Sequence, residues 1–199
     1  MHFKSTAVAS LAVLAAAASA SPMEMSNPPP QKPSGKFGLA IAAKRAIDLN
    51  EVHSTELVYA NNSMYLGQIR YQQYAEPLVL TGAYQGDDVQ GGLSFTSVHS
   101  TPTGFQDAFV ELNHTAPVQF TGPHSAAKPD DAVTSPFYFS TQSDRVPATL
   151  NWNSENRFFA CQTDELKALK SYQIWWQAND AFPAGVHCKG PINIVMTPA

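Results

Sequence analysis

Charge is scarce in this chain: Asp, Glu, Lys and Arg make up 14% of 199 residues, with 12 basic against 16 acidic side chains and a formal net charge of -4. A sparse, mildly acidic surface without a basic cluster excludes nucleic acid and anionic membranes as electrostatic partners. Cysteine is limited to Cys161 and Cys188, which allows one disulfide at most. No apolar run is long enough to cross a bilayer. No HExxH or HxH spacing suggests a metal centre, no GxSxG elbow suggests a serine hydrolase, and no βαβ spacing suggests a nucleotide-binding sheet. The sequence shows no internal repeat.

What is present begins with an export signal. Residues 1–20 (MHFKSTAVASLAVLAAAASA) carry one early positive charge, Lys4, then an apolar run and the small-x-small signal Ala18-Ser19-Ala20. This is the pattern of a secretory signal peptide, with the mature chain expected to start at Ser21. Residues 21–36 (SPMEMSNPPPQKPSGK) are Pro-rich and polar and read as a flexible leader. Residues 37–199 are expected to form a single β domain, and export makes a Cys161–Cys188 disulfide the expected state. It would close a loop of roughly 28 residues and contribute roughly 3–4 kcal/mol on a chain-entropy estimate. The short apolar run in the final INIVMTPA cannot serve as a lipid-anchor tail.

From Phe37 onward, short apolar runs alternate with turn residues: FGLAIAA, AIDLNEV, ELVYA, MYLGQIRYQQY, PLVLTGAY, LSFTSV, FQDAFVEL, APVQFTG, FYFS, ATLNW, RFFAC, SYQIWWQA and INIVM. Such spacing predicts a mainly β fold, an antiparallel β-sandwich of about ten short strands, with a β-trefoil-like closed barrel as the alternative. DELKALK (164–170) is the one helical candidate, with acids at its front and lysines at its back. In SYQIWWQA, alternation puts Tyr172, Ile174, Trp176 and Ala178 on one face and Ser171, Gln173, Trp175 and Gln177 on the other. Trp175 beside amides suits stacking on a sugar ring. A tryptophan in a small β protein also packs readily beneath a loop.

Candidates for chemistry are few. His53, His99, His114, His124 and His187 show no ligand spacing and read as surface or turn residues, with no metal or cofactor implied. The pairs Asp87-Asp88 and Asp130-Asp131 fall in expected loops and read as solvated. The sequons Asn61-Asn62-Ser63 and Asn113-His114-Thr115 lie between expected strands, marking Asn61 and Asn113 as glycosylation sites. Lys44-Arg45 is a dibasic pair of the type cut by secretory processing proteases, set within an apolar pattern that reads as structured.

Residues 120–140, FTGPHSAAKPDDAVTSPFYFS, resemble the aromatic-Thr-x-x-His-Ser-Ala stretch of PhiA-type cell-wall proteins of filamentous fungi. Residues 46–67 and 152–178 resemble two further blocks of that family in the same order. The family comprises small secreted proteins of phialides, with related IgE-binding antigens. The resemblance implies a non-enzymatic wall or conidial surface protein with a structural or interaction role and no catalytic residues. It marks His124, Ser125 and Ala126 as a motif, expected here to hold a loop. Cell-wall polysaccharide is the expected partner. The alternatives are a secreted carbohydrate-binding protein or host-directed effector and, after these, a glycoside hydrolase.

Overall fold

The structure is a computed structural model that describes residues 35–42, 54–69, 75–85, 88–98, 105–140 and 149–199. The signal peptide, nearly all of the leader, Lys44-Arg45, His53, His99 and Asp87 lie outside the described residues.

The chain folds as three successive units. The first contains β1 (Lys36–Ile41), β2 (Leu57–Ala60), β3 (Ser63–Leu66), β4 (Glu76–Pro77) and β5 (Val79–Gln85). The second contains β6 (Asp88–Phe95), β7 (Gln106–Glu111), β8 (Ala116–Pro117), β9 (Gln119–Phe120), β10 (Ala132–Val133) and β11 (Phe137–Ser140). The third contains β12 (Thr149–Trp152), β13 (Phe158–Gln162), α1 (Asp164–Ala168), β14 (Tyr172–Trp176), β15 (His187–Lys189) and β16 (Ile194–Pro198). Apart from AIDLNEV, which lies outside the described residues, the expected runs recur as strands in whole or in part, whereas β10 and β15 fall where no strand was expected. Asp88, expected in a loop, opens β6 instead.

Pairing runs β1–β5–β6–β11–β12–β16 and returns from β16 to β1, all antiparallel, so these six strands form a closed barrel. The sheet therefore takes the barrel alternative in place of the two-layer sandwich. Closure lets each strand find a partner on both sides, which removes the free edges that two open sheets would leave. Barrel strands supply Phe37, Leu39, Leu80, Leu93, Phe137, Phe139, Leu150 and Ile194 to the core, each at most 2% exposed. Phe37 and Phe139 meet edge to face at 5.8 Å.

The inner strands of each unit form a cap. β2 and β3 are joined by Asn61 and Asn62, both left-handed (φ 45° and 56°), the backbone that a tight hairpin demands and that asparagine tolerates. β3, β8–β9 and β14 then pair in a cycle: Ser63 opposite Gln119, Pro117 opposite Trp175, and Gln173 opposite Tyr65. The register makes Ser63, Pro117 and Gln173 equivalent under a pseudo-threefold rotation, and likewise Tyr65, Gln119 and Trp175. Between them Met64, Val118 and Ile174 point inward, each at most 1% exposed. Barrel and cap together have the strand order of a β-trefoil.

Helix α1 is shorter than its sequence pattern. Thr163 caps it by accepting from the Leu166 N–H (3.4 Å), Asp164 and Glu165 fill the first turn, and none of its residues is buried. The expected disulfide is present: Cys161 and Cys188 face one another across β13 and β15, 27 residues apart in sequence.

Ile174 lies at the centre of the cap with no exposed surface. Ile174→Ala is expected to cost about 2–5 kcal/mol in denaturant unfolding, from lost burial plus the cavity it leaves. A cost below about 1 kcal/mol would show that the cap junction is not part of the cooperative core.

Candidate functional site

Alternation along the three cap strands puts Met64, Leu66, Val118, Phe120, Ile174 and Trp176 into the core. Ser63, Tyr65, Pro117, Gln119, Gln173 and Trp175 fall on the opposite, outer face. Polar atoms there are joined across the pseudo-threefold axis. Gln173 Nε2 donates to Ser63 Oγ (3.0 Å) and to the Tyr65 hydroxyl oxygen (3.2 Å), and Gln173 Oε1 accepts from Trp175 Nε1 (3.3 Å). Ser63 Oγ in turn donates to the Val118 carbonyl at 2.8 Å. Burial, followed by the charge of Glu165, pushes the Tyr65 phenol above its ordinary pKa, so it stays protonated at neutral pH.

Beside this network lies an aromatic group. Phe159 is the cross-strand neighbour of Trp175, and Phe182, from the loop after β14, packs edge to face on Phe159 (5.1 Å) and on Trp175 (6.4 Å). Gly190 makes room for it. Its φ of 155° favours glycine, and a Cβ there would sit 2.7 Å from the Phe159 ring.

Trp175 shares its face with Gln173 as expected, but it retains only 8% exposure beneath Phe182. The indole is therefore a packed support rather than an open stacking platform. The rings that remain half-exposed on this face are Tyr65, Phe159 and Phe182, and the amides are Gln119 and Gln173. Sequence reasoning missed Tyr65, Phe159 and Phe182, because which residues join one face depends on pairing between distant strands. Ser171, expected on the polar face, is fully buried and donates to the Gln68 carbonyl. The opposite face is as expected, with Tyr172, Ile174, Trp176 and Ala178 all buried.

Both sequon asparagines are exposed, Asn61 at the β2–β3 turn and Asn113 just after β7. The His124-Ser125-Ala126 motif makes local turn contacts through both backbone and side chain. Ser125 N–H donates to the Gly122 carbonyl (3.0 Å), His124 takes the left-handed position (φ 56°), and Ser125 Oγ accepts from Ala127 N–H (3.1 Å). His187 is exposed on β15. The solvated-loop reading holds for exposed Asp130 and fails for Asp131, which joins His114 and Glu111. Of that group, only the Glu111/His114 spacing is visible in sequence.

Thr115, third residue of the second sequon, is locked against the loop carrying Phe182. Its N–H donates to Asp180 Oδ1 (2.7 Å), and its hydroxyl donates to the Asp180 carbonyl (3.0 Å) and accepts from Ala178 N–H (3.1 Å). The Thr115 hydroxyl and then its backbone N–H hold the Asp180 carboxyl below the ordinary aspartate range. A lowered folded-state pKa stabilises above the unfolded value, about 3.9, and that stability is lost as pH falls through the folded value. Asp180→Ala is thus expected to lower the melting temperature at pH 7 and to lower it less at a pH below the unfolded aspartate value. An equal deficit at both pH values would assign the effect to packing instead.

Comparison with protein-family models, with characterised proteins and with solved structures yields no match to this chain.

Proposed function

We propose that this chain is an exported, non-enzymatic surface protein of the fungal cell wall, and that the outer face of its cap meets wall polysaccharide. The observation that carries the reading is the convergence of half-exposed Tyr65, Phe159 and Phe182 with the amides of Gln119 and Gln173. A sugar ring has an apolar C–H face and a rim of hydroxyls. Aromatic rings suit the first and amides the second.

Further support comes from the Cys161–Cys188 disulfide, which suits an oxidising compartment, and from sequon asparagines on exposed turns, where glycans have room. The signal-like segment at 1–20 and the resemblance of residues 120–140 to PhiA-type wall proteins point the same way.

Two measurements test the proposal. Fractionation of a producing culture is expected to place the protein in the washed wall or medium, with intact mass falling on deglycosylation. Wholly intracellular, unglycosylated protein would end the reading. Pull-down on chitin and β-glucan is expected to retain the wild type, with Phe182→Ala and Gln119→Ala each weakening retention. Loss of one ring contact worth about 0.5–1.5 kcal/mol corresponds to a roughly twofold to tenfold drop in affinity. Retention unchanged in both variants would remove the cap face as the contact surface.

A further inference from the structure

Glu111, His114 and Asp131 come together next to Thr115, the residue whose amide and hydroxyl bond Asp180. Each offers one ligand atom, and these atoms lie within 4.8 Å of one another. His114 Nδ1 is 3.0 Å from Asp131 Oδ2 and 3.9 Å from Glu111 Oε2.

Backbone pairing fixes the arrangement. β7 and β10 are antiparallel with Glu111 opposite Ala132, so the residue just before β10 lies beside the turn that follows β7. Leu112 N–H donates to the Asp131 carbonyl (3.2 Å) and Asn113 N–H to Asp131 Oδ2 (3.3 Å), which aims the carboxylate at the turn carrying His114. The side chains of Glu111 and Asp131 are 17% and 21% exposed, while that of His114 is 67% exposed. Two partly covered carboxylates therefore stand under one open imidazole. Among the described residues neither carboxylate is paired with a lysine or arginine. Each carboxylate thus raises the cost of the other's charge, offset by the imidazole and, for Asp131, by the Asn113 N–H.

We propose that Glu111, His114 and Asp131 form a divalent-cation site of the zinc class, taking one imidazole nitrogen and two carboxylate oxygens, with water completing the shell. Metal–ligand bonds of about 2.0–2.2 Å in tetrahedral geometry space neighbouring ligand atoms roughly 3.3–3.6 Å apart. The observed 3.0 and 3.9 Å bracket that spacing and the third separation is at most 4.8 Å, so a cation could enter with side-chain adjustments of up to roughly an ångström. An imidazole donor selects zinc or its borderline-soft neighbours, since calcium and magnesium favour all-oxygen shells. The exposed imidazole leaves the approach open, and the site is separate from the aromatic face proposed to meet polysaccharide.

The test uses the exported protein, stripped with chelator and dialysed, in calorimetric titration with zinc chloride and, in parallel, calcium and magnesium chloride. The expected result is one zinc per chain with weaker or absent calcium and magnesium binding, and a zinc-dependent rise in melting temperature. His114→Gln and Asp131→Asn are each expected to weaken zinc binding at least tenfold and to abolish the rise. Far-UV spectra check that the variants fold, and Glu111→Gln, which leaves the His114–Asp131 contact in place, serves if either does not. The proposal is overturned if the wild type binds no zinc, if the folded variants bind it as tightly, or if calcium binds more tightly than zinc.

Discussion

The cyclic pairing of β3, β8–β9 and β14 is the constraint on which the molecule depends. Each strand hydrogen-bonds the next around a common axis, with Met64, Val118 and Ile174 sealed at the centre. A polar backbone at the end of a barrel needs partners, and this cycle supplies them without a covering helix. It also brings strands from all three units into one junction. Residues more than a hundred positions apart, such as Tyr65 and Gln173, become neighbours.

From that junction the two faces of the cap diverge. Below it, Tyr59 stacks on Phe95 at 3.7 Å, and both rings pack against Phe120. Trp176 sits between Trp152 and Phe158. This is dense aromatic packing of the kind that fixes one arrangement. Above it, among the described residues, no second layer of sheet covers the strands, and the loop bearing Phe182 shields the Trp175 side. The outer face consequently keeps rings and amides half-exposed. The Glu111, His114 and Asp131 group arises in the second unit at the β7–β10 pairing. One scaffold thus presents two chemically unlike features, an aromatic and amide face and a surface cluster of one imidazole and two carboxylates.

Local signals were legible where local physics decides. Alternation identified the buried face of β14, and the Asn61-Asn62 pair falls between two expected strands, where the structure has a hairpin turn whose left-handed geometry asparagine tolerates. The front-loaded acids marked α1, although the helix stops at Ala168, because none of its residues is buried and so short an element gains little from packing. The pseudo-threefold plan was not legible. Its equivalent positions hold Ser63, Pro117 and Gln173, and then Tyr65, Gln119 and Trp175, which share no side-chain chemistry. What repeats is backbone register, and register leaves no mark on residue identity when the facing environment differs in each unit. The Asp131 carboxylate was hidden for a similar reason, since its partners lie across a strand pairing.

By itself the sequence determined a β-rich, antiparallel chain with one short helix and one possible disulfide, because hydrophobic period and cysteine number are properties of neighbouring residues and composition. Tertiary structure alone decided that the sheet closes into a six-stranded barrel, that Trp175 is packed while Phe182 is partly open, and that Glu111, His114 and Asp131 share a site. These outcomes follow from hydrogen-bond register between distant strands, and alternation along any one strand cannot specify the partner that strand will meet.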